Sequence, residues 1–386
     1  MAAFLIVAGA TGSVLAFLGD MEMALNPEYR IAEPPGATFS PLALRETLLR
    51  RLPDARIDSI PLYHAPGEAL HWWMLLPDPE HPAVRVDTDM VVNPYTGEEI
   101  SRRTTSVWPI HRKNLMAFVY RLHYSLALGD VGLWLFGLAA VLWTLDCFAG
   151  VYLTLPGGRA DGSFGWWRRW SQAWKIRWRS NAGKRQFDLH RASGLWLWPL
   201  LLAFAWSGVS FTLGDAVYRP TMRALFGMAE PAESGTSGDG VHARAVLPWA
   251  EGYRRARQLM HEQARLNAFD VLREQNFSYD AARGVFVLTV LSSRDVGRRW
   301  GRTELWLDAA SGEFRALGLP TGSQAGNTIT TWITAIHTAS VGGRPMQAMV
   351  SAFGFAVALL AVTGVLIWWR KRRARRAINH RRDARS

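Results

Sequence analysis

Four apolar runs, at Met1–Leu18, Val131–Leu155, Leu195–Leu213 and Met346–Trp369, constrain this 386-residue chain more than any other feature. A helix needs about 20 predominantly apolar residues to cross the hydrocarbon core of a bilayer. Each run is close to that length, so the chain reads as an α-helical membrane protein with four transmembrane helices. The mean hydropathy of −0.02 hides this, because charged residues crowd the stretches between the runs.

The net charge of +12 invites a nucleic-acid reading. Its distribution points to a lipid bilayer instead. Arginines and lysines cluster in Arg168–Arg191 and Arg370–Arg385, each beside an apolar run. Positive residues flanking a span mark its cytoplasmic end, so both stretches are expected inside a bacterial inner membrane. The tail Arg370-Lys-Arg-Arg-Ala-Arg-Arg376 is then a topology and headgroup anchor, with no nucleic acid as partner. Trp166, Trp167, Trp170, Trp174, Trp178, Trp368 and Trp369 accompany these stretches, as interfacial aromatics do.

The expected order is a first span at 1–18, a periplasmic domain at 19–120 and a second span at 121–155. A basic cytoplasmic loop at 156–189, a third span at 190–213 and a second periplasmic domain at 214–330 follow. A fourth span at 331–369 and a basic tail at 370–386 place both termini in the cytoplasm. The sequence opens inside an apolar run without a signal peptide's basic leader and cleavage pattern. Either translation starts there or upstream residues are missing. Cys147, the single cysteine, lies within the second run and is expected to serve packing.

The two halves read as copies. Each domain carries one turn phrase, Asn93-Pro-Tyr-Thr-Gly-Glu98 and Asp308-Ala-Ala-Ser-Gly-Glu313, after an apolar strand at Arg85–Val92 and Thr303–Leu307. Asn or Asp and Gly at these offsets suit a tight hairpin. A helix precedes each sheet. Ser40 as N-cap and Pro41 as first residue open one to about Leu52, and Trp249–His261 has helical periodicity. Each domain is therefore expected to be a small α+β unit. The spans repeat as well. His123 precedes Gly150 by 27 residues and His337 precedes Gly364 by 27, which equates the second and fourth spans. Thr11-Gly12 and Ser207-Gly208 equate the first and third. His190 precedes Gly208 by 18, and that offset applied to Gly12 predicts a fourth histidine upstream of Met1.

His123, His190 and His337 stand where the spans begin. Ionisable residues at membrane depth are expensive and usually functional. Neutral imidazole is a standard axial ligand of haem iron, and a helix bundle can hold haem between facing helices. His123 and His337 form a pair at matched depth on the outer side, and His190 is half of an inner pair. One or two haem b groups are thus expected, with Arg121 and Arg191 placed to neutralise propionates. The competing reading makes these histidines hydrogen-bonded interfacial residues. Zinc is disfavoured because no compact cluster supplies three or four ligands.

Other candidates are weaker. Asp146 either pairs with a loop arginine or serves a proton or electron path. His71, Trp72, Trp73 and Met74 form an aromatic patch whose alternate members suit core packing. His64, His81, His111, His242, His261 and His380 read as surface residues. No dinucleotide-binding fingerprint, P-loop or nucleophile elbow is present, so nothing suggests nicotinamide binding or hydrolysis.

Arg121-Leu-His-Tyr-Ser-Leu126, Asp146-Cys-Phe-Ala-Gly-Val-Tyr-Leu-Thr-Leu-Pro156 and Phe187-Asp-Leu-His-Arg-Ala-Ser-Gly-Leu-Trp196 resemble the span motifs of PepSY-associated transmembrane proteins. The Asn93–Glu98 and Asp308–Glu313 turns resemble PepSY hairpins, and the similarity covers essentially the whole chain. Within the family the chain looks most like FoxB-type ferrisiderophore reductases. That resemblance implies a haem protein that passes electrons to a periplasmic ferric siderophore and releases iron as Fe(II). His123, His190 and His337 match the family's span histidines. The electron donor, a quinol or a cytoplasmic reductase, is left open. Two alternatives compete: a non-enzymatic PepSY regulator or sensor, which would be colourless, and a siderophore transporter, for which four spans leave little room.

Overall fold

The computed structural model describes residues 1–34, 39–104, 111–157, 162–228 and 246–383. The first half runs through α1 (Ala2–Leu15), α2 (Leu18–Leu25), α3 (Pro41–Arg51), β1 (Ser59–Pro61), β2 (Leu70–Pro77), β3 (Arg85–Val92) and β4 (Glu99–Thr104). It closes with α4 (Arg112–Ser125) and α5 (Gly129–Tyr152). A basic connection carries α6 (Gly162–Ser171). The second half has α7 (Ala182–Trp196), α8 (Trp198–Thr212), α9 (Arg219–Phe226), α10 (Trp249–Leu266), β5 (Val271–Asp280) and β6 (Val285–Ser292). It ends with β7 (Thr303–Asp308), β8 (Phe314–Gly318), α11 (Ala325–His337) and α12 (Gly343–Asp383).

Helix α5 and the Gly343–Arg376 part of α12 are each long and apolar enough to cross a membrane. The other two apolar runs are not straight helices. The pairs α1–α2 and α7–α8 qualify only when each is taken together, and each is bent by 69°. Pro199, in the first turn of α8, has no N–H to give α7 and crowds the turn before it, so the helix breaks at Leu197. In the first pair α1 ends at Leu15, and α2 then carries Asp20 and Glu22 away from the apolar run.

Small residues let the spanning helices approach. A Cβ on Gly9 of α1 would lie 2.4 Å from the Gly354 carbonyl of α12, and one on Gly137 of α5 would lie 2.5 Å from Leu213 at the end of α8. Close approach at small residues, backbone on backbone at Gly9 and side chain on backbone at Gly137, is the usual means of helix association where no hydrophobic force acts between helices. The Trp198 indole donates to the Cys147 carbonyl at 2.9 Å, and Cys147 is buried in that contact.

Strands β2, β3 and β4 form an antiparallel sheet in that order. Its strand β2 alternates, with Trp72 and Met74 buried while Trp73 is 53% exposed, so packing claims the even members of the aromatic patch. The second sheet has the order β1-β5-β6-β7-β8. Its edge strand comes from the first half: Ile60 of β1 is opposite Phe277 of β5. The two α+β units are thereby joined. One apolar core contains Leu44 and Leu48 of α3, Ile60 and Trp72, Ala256 and Met260 of α10, and Phe277 and Phe286.

The repeat holds atom by atom at the hairpins. Asn93 N donates to Glu98 O and Gly97 N to Asn93 O, both at 2.9 Å; Asp308 N donates to Glu313 O at 2.8 Å and Gly312 N to Asp308 O at 2.9 Å. Asn93 Oδ1 accepts from the N–H of Tyr95 and Thr96, as Asp308 Oδ1 does from Ala310 and Ser311. Gly97 (φ +68°) and Gly312 (φ +74°) occupy the left-handed region that a side chain resists. Arg51 of α3 donates to Gly97 O, and Arg255 of α10 donates to Gly312 O. Ser40 precedes α3 with extended backbone but its side chain makes no cap bond, so Pro41 is the working start signal.

Asp308 differs from its twin Asn93 only in charge. Burial pushes its carboxyl up, but the Arg315 guanidinium at 2.6 Å and the two turn N–H groups outweigh this and hold it down at about 2. A depressed carboxyl contributes its stability above the ordinary carboxylate range and loses it as pH falls toward 2. Asp308→Asn is therefore expected to cost about 1 kcal/mol at pH 7, after allowing for solvent around Arg315, and less at pH 3. Denaturant titration of both proteins at the two pH values checks this.

Candidate functional site

The three span histidines belong to helices that lead into the spans. His123 is in the last turn of α4, and the chain then passes through Leu126 (φ +52°) and Ala127 (φ +56°) before α5 begins. His337 ends α11 and is followed by Ala339 (φ +49°) before α12. His190 lies in α7, ahead of the break at Leu197. Sequence reading placed all three at the start of continuous spans. Left-handed turns at non-glycine residues, each costing about 1 kcal/mol, interrupt two of these and the Pro199 break interrupts the third.

Each histidine is received by a hydroxyl followed by glycine on another helix. His123 Nδ1 is 2.9 Å from Thr11 Oγ1 of α1, His337 Nδ1 is 2.6 Å from Ser207 Oγ of α8, and His190 Nδ1 is 3.0 Å from Thr363 Oγ1 of α12. A hydroxyl has one hydrogen. Thr11 donates it to Val7 O at 2.6 Å, Ser207 to Phe204 O at 3.0 Å, and Thr363 to Leu359 O at 2.9 Å. A hydroxyl that donates to its carbonyl can accept from the imidazole, and in that arrangement Nδ1 carries the proton and Nε2 keeps its lone pair, the tautomer a metal ligand needs. The adjacent glycines make room. A Cβ on Gly12 would lie 3.0 Å from His123 Cε1, and one on Gly364 would lie 3.3 Å from His190 Cε1.

His123 and His337 are brought together. Their ring centroids are 6.1 Å apart and their planes are inclined at 71°. Two imidazoles on opposite sides of one metal, each nitrogen about 2.0 Å from it, bring their centroids to roughly 6 Å. Phe204 stacks on His337 at 4.7 Å and Phe211 meets its edge at 5.2 Å. His190 stands apart at the basic end. Among the described residues no group of three or more His, Cys, Asp and Glu gathers as a bare metal ion requires.

The arginines differ. Arg121 is half-buried on the same helix as His123. Arg191 turns toward the basic connection, where it donates to the carbonyls of Ala173 and Gln172 and pairs with buried Asp188 at 3.2 Å. Arg177 holds the same carboxylate at 2.7 Å. Arg191 thereby ties α7 to the connection that carries the edge-on and tilted indoles of Trp166, Trp167, Trp170 and Trp174. Asp146 is exposed on α5 and makes no ion pair among the described residues.

Sequence reading missed a buried ionic cluster at the junction of sheet and helices. Asp89 of β3 is fully buried and meets His71 Nδ1 at 3.0 Å and Arg103 at 2.7 Å. Arg103 of β4 also reaches Glu22 of α2 at 2.5 Å and donates to the Lys113 carbonyl of α4 at 2.8 Å. An aspartate inside the apolar strand Asp89-Met-Val-Val92 was the available signal. His64, read as a surface residue, is half-buried edge-on between Phe39 at 4.8 Å and Tyr95 at 5.4 Å. His81, His111 and His261 are exposed. His242 and the side chain of His380 lie outside the described residues.

A family model described as PepSY-associated TM region matches residues 1–371. The chain belongs to that family, and with its apolar helices it is a membrane protein. No curated protein matches it.

Proposed function

We propose that this chain is a haem b-bearing oxidoreductase of the bacterial inner membrane that delivers electrons to a ferric siderophore in the periplasm. The reading rests first on the closeness of His123 and His337, whose ring centroids are 6.1 Å apart and whose Nδ1 atoms meet the hydroxyls of Thr11 and Ser207. Haem supplies reversible one-electron chemistry when bound. His123 and His337 would hold its iron at the sheet end. His190, fixed by Thr363, would supply one ligand at the basic end. The overall reaction is Fe(III)–siderophore plus one electron giving Fe(II) and free siderophore, since Fe(II) binds hard oxygen donors less well. A quinol donor would reduce two ferric ions and release two protons; a cytoplasmic reductase is the other donor class.

The test is optical. Protein purified from haem-supplemented cells is expected to show a b-type spectrum that changes on dithionite reduction. His123→Ala and His337→Ala should each remove the signal of the sheet-end haem. A colourless preparation would sink the proposal and leave the regulator or sensor reading of the family in front.

A further inference from the structure

The repeat that aligns the two hairpins also aligns the strands before them. Asn93 and Asp308 are 215 residues apart, as are Gly97 and Gly312, and the same offset carries Asp89 to Glu304. The packing agrees. Met90 and Val92 point into the core from β3, and their twins Leu305 and Leu307 point into it from β7. Asp89 lies opposite Arg103 of β4, and Glu304 lies opposite Gly318 of β8. His71 lies opposite Val91, whose twin Trp306 lies opposite Val287. Each sheet thus carries one carboxylate on the face turned from the core. The arginine and histidine that neutralise the first are replaced by glycine and valine around the second.

Glu304 is half-buried, and among the described residues its carboxylate accepts one hydrogen bond, from the Trp306 indole to Oε2 at 3.2 Å. Thr289 of β6 lies opposite and brings no charge. A Cβ on Gly318 would lie 3.8 Å from the Glu304 Cβ, so β8 sends no side chain toward Glu304 from the place where Arg103 reaches Asp89. Arg302, on the same face of β7, is exposed and makes no ion pair with Glu304. Its charge is felt by both Glu304 and Tyr218, which follows α8 and bonds through its hydroxyl to Thr330 at 2.8 Å. Arg283 lies over the Trp306 ring at 5.5 Å and pairs with Asp280. Burial pushes the Glu304 carboxyl up by more than the indole and the Arg302 charge draw it down. Asp89, against the same effect of burial, is held below the ordinary carboxylate value by His71 and Arg103.

We infer that Glu304 is a proton-operated latch: it sits on the second sheet while it carries a proton, and as pH rises it gives that proton to solvent and draws away toward Arg302, whereas Asp89 stays ionised and clamped. An ionised carboxylate that keeps no cation is destabilising where water is partly excluded, and the exposed guanidinium two residues away offers it a solvated partner. The movement falls at the end of β8. Leu319 O accepts from Asn327 Nδ2 at 3.4 Å and Pro320 O from Thr331 Oγ1 at 2.8 Å, so the two residues after Gly318 are pinned to α11. Helix α11 ends in His337. The latch thereby couples the pH around the sheets to the β7–β8 edge and, through it, to the helix that carries a span histidine. No step of it uses haem, so it stands apart from the reductase reading.

The full-length parent, Glu304→Gln and Gly318→Arg are compared in detergent at pH 5 and pH 8 by thermal unfolding and amide hydrogen exchange. A carboxyl raised in the folded state contributes stability at low pH and loses it as pH climbs above the ordinary carboxylate range; glutamine, which matches the protonated form, never ionises. Glu304→Gln should therefore unfold with the parent at pH 5 and about 2 °C or more above it at pH 8. Amides of β7 and β8 should exchange roughly threefold faster in the parent than in Glu304→Gln at pH 8, and equally at pH 5. Histidines titrate alike in both proteins, so the difference isolates Glu304. Gly318→Arg returns the guanidinium that Arg103 supplies to the first sheet, and it should slow β7–β8 exchange at pH 8 to the rate of Glu304→Gln. Nothing lies closer than 3.8 Å to a Cβ at Gly318, so the side chain has room. If that variant fails to fold, the Glu304→Gln comparison decides alone. A Glu304→Gln protein that follows the parent at both pH values, or unfolds below it at pH 8, overturns the inference, because Glu304 is then not released by losing a proton. Equal β7–β8 exchange in the two proteins at pH 8 overturns it as well.

Discussion

Arg103→Met is expected to destabilise the protein by about 3–5 kcal/mol at neutral pH, because it leaves two buried carboxylates without their shared cation. Asp89 is fully buried, Glu22 nearly so, and Arg103 is the group that faces both. Burial alone pushes the Asp89 carboxyl up, while His71 and Arg103 together hold it below the ordinary carboxylate value. Without Arg103 the balance reverses and Asp89 favours its protonated form. The deficit should therefore be largest at neutral and alkaline pH and shrink as pH falls through the carboxylate range. Arg103→Met combined with Asp89→Asn should recover part of the loss. Thermal unfolding in detergent across that pH range measures all of this. A flat, small deficit would show that solvent reaches the cluster and replaces the cation. The consequence extends beyond stability, since Arg103 joins the first sheet to α2 and, through the Lys113 carbonyl, to α4, which carries His123.

What the sequence reveals about this chain divides along physical lines. The two hairpins are legible because their chemistry is local: one acceptor, one hydroxyl and one left-handed glycine within six residues dictate the turn. The closeness of the His123 and His337 rings is legible because both halves keep the 27-residue spacing to Gly150 and Gly364. The hydroxyl–glycine dipeptides are visible in the sequence, but their role is not. Thr11 and His123 are separated by 112 residues, Ser207 and His337 by 130, and His190 and Thr363 by 173. Only the packing of helices makes them neighbours. The break between α4 and α5 is hidden for another reason. Leu126 and Ala127 carry no turn preference, so tertiary contacts hold a conformation that local propensity opposes. The pairing of β1 with β5 is likewise a long-range choice that no three-residue strand announces.

Gly354→Leu is expected to part α1 from α12 and, through that, to release His123. A Cβ at Gly354 would lie 2.7 Å from both the Gly9 carbonyl and Ser13 Oγ, and 3.1 Å from Ser13 N. Two of these are backbone atoms of a helix, so the neighbour cannot yield by turning a side chain. Ser13 also donates to Ser351 O at 2.8 Å, a bond the displacement would break. Small residues four apart on both helices, Gly9 with Ser13 and Gly354 with Ala358, make the close approach. The expected destabilisation is about 3 kcal/mol or more. Thr11 lies between Gly9 and Ser13 on the displaced helix, and its hydroxyl holds His123 Nδ1 at 2.9 Å. The variant should therefore lose the signal of the proposed sheet-end haem as well as melting temperature. Gly150→Ala is the control: nothing lies within 4 Å of a Cβ there, so it should be neutral or slightly stabilising and leave the spectrum intact. If Gly354→Leu melts and absorbs like the parent, α1 does not hold His123 through this contact, and the link between helix packing and ligand geometry fails.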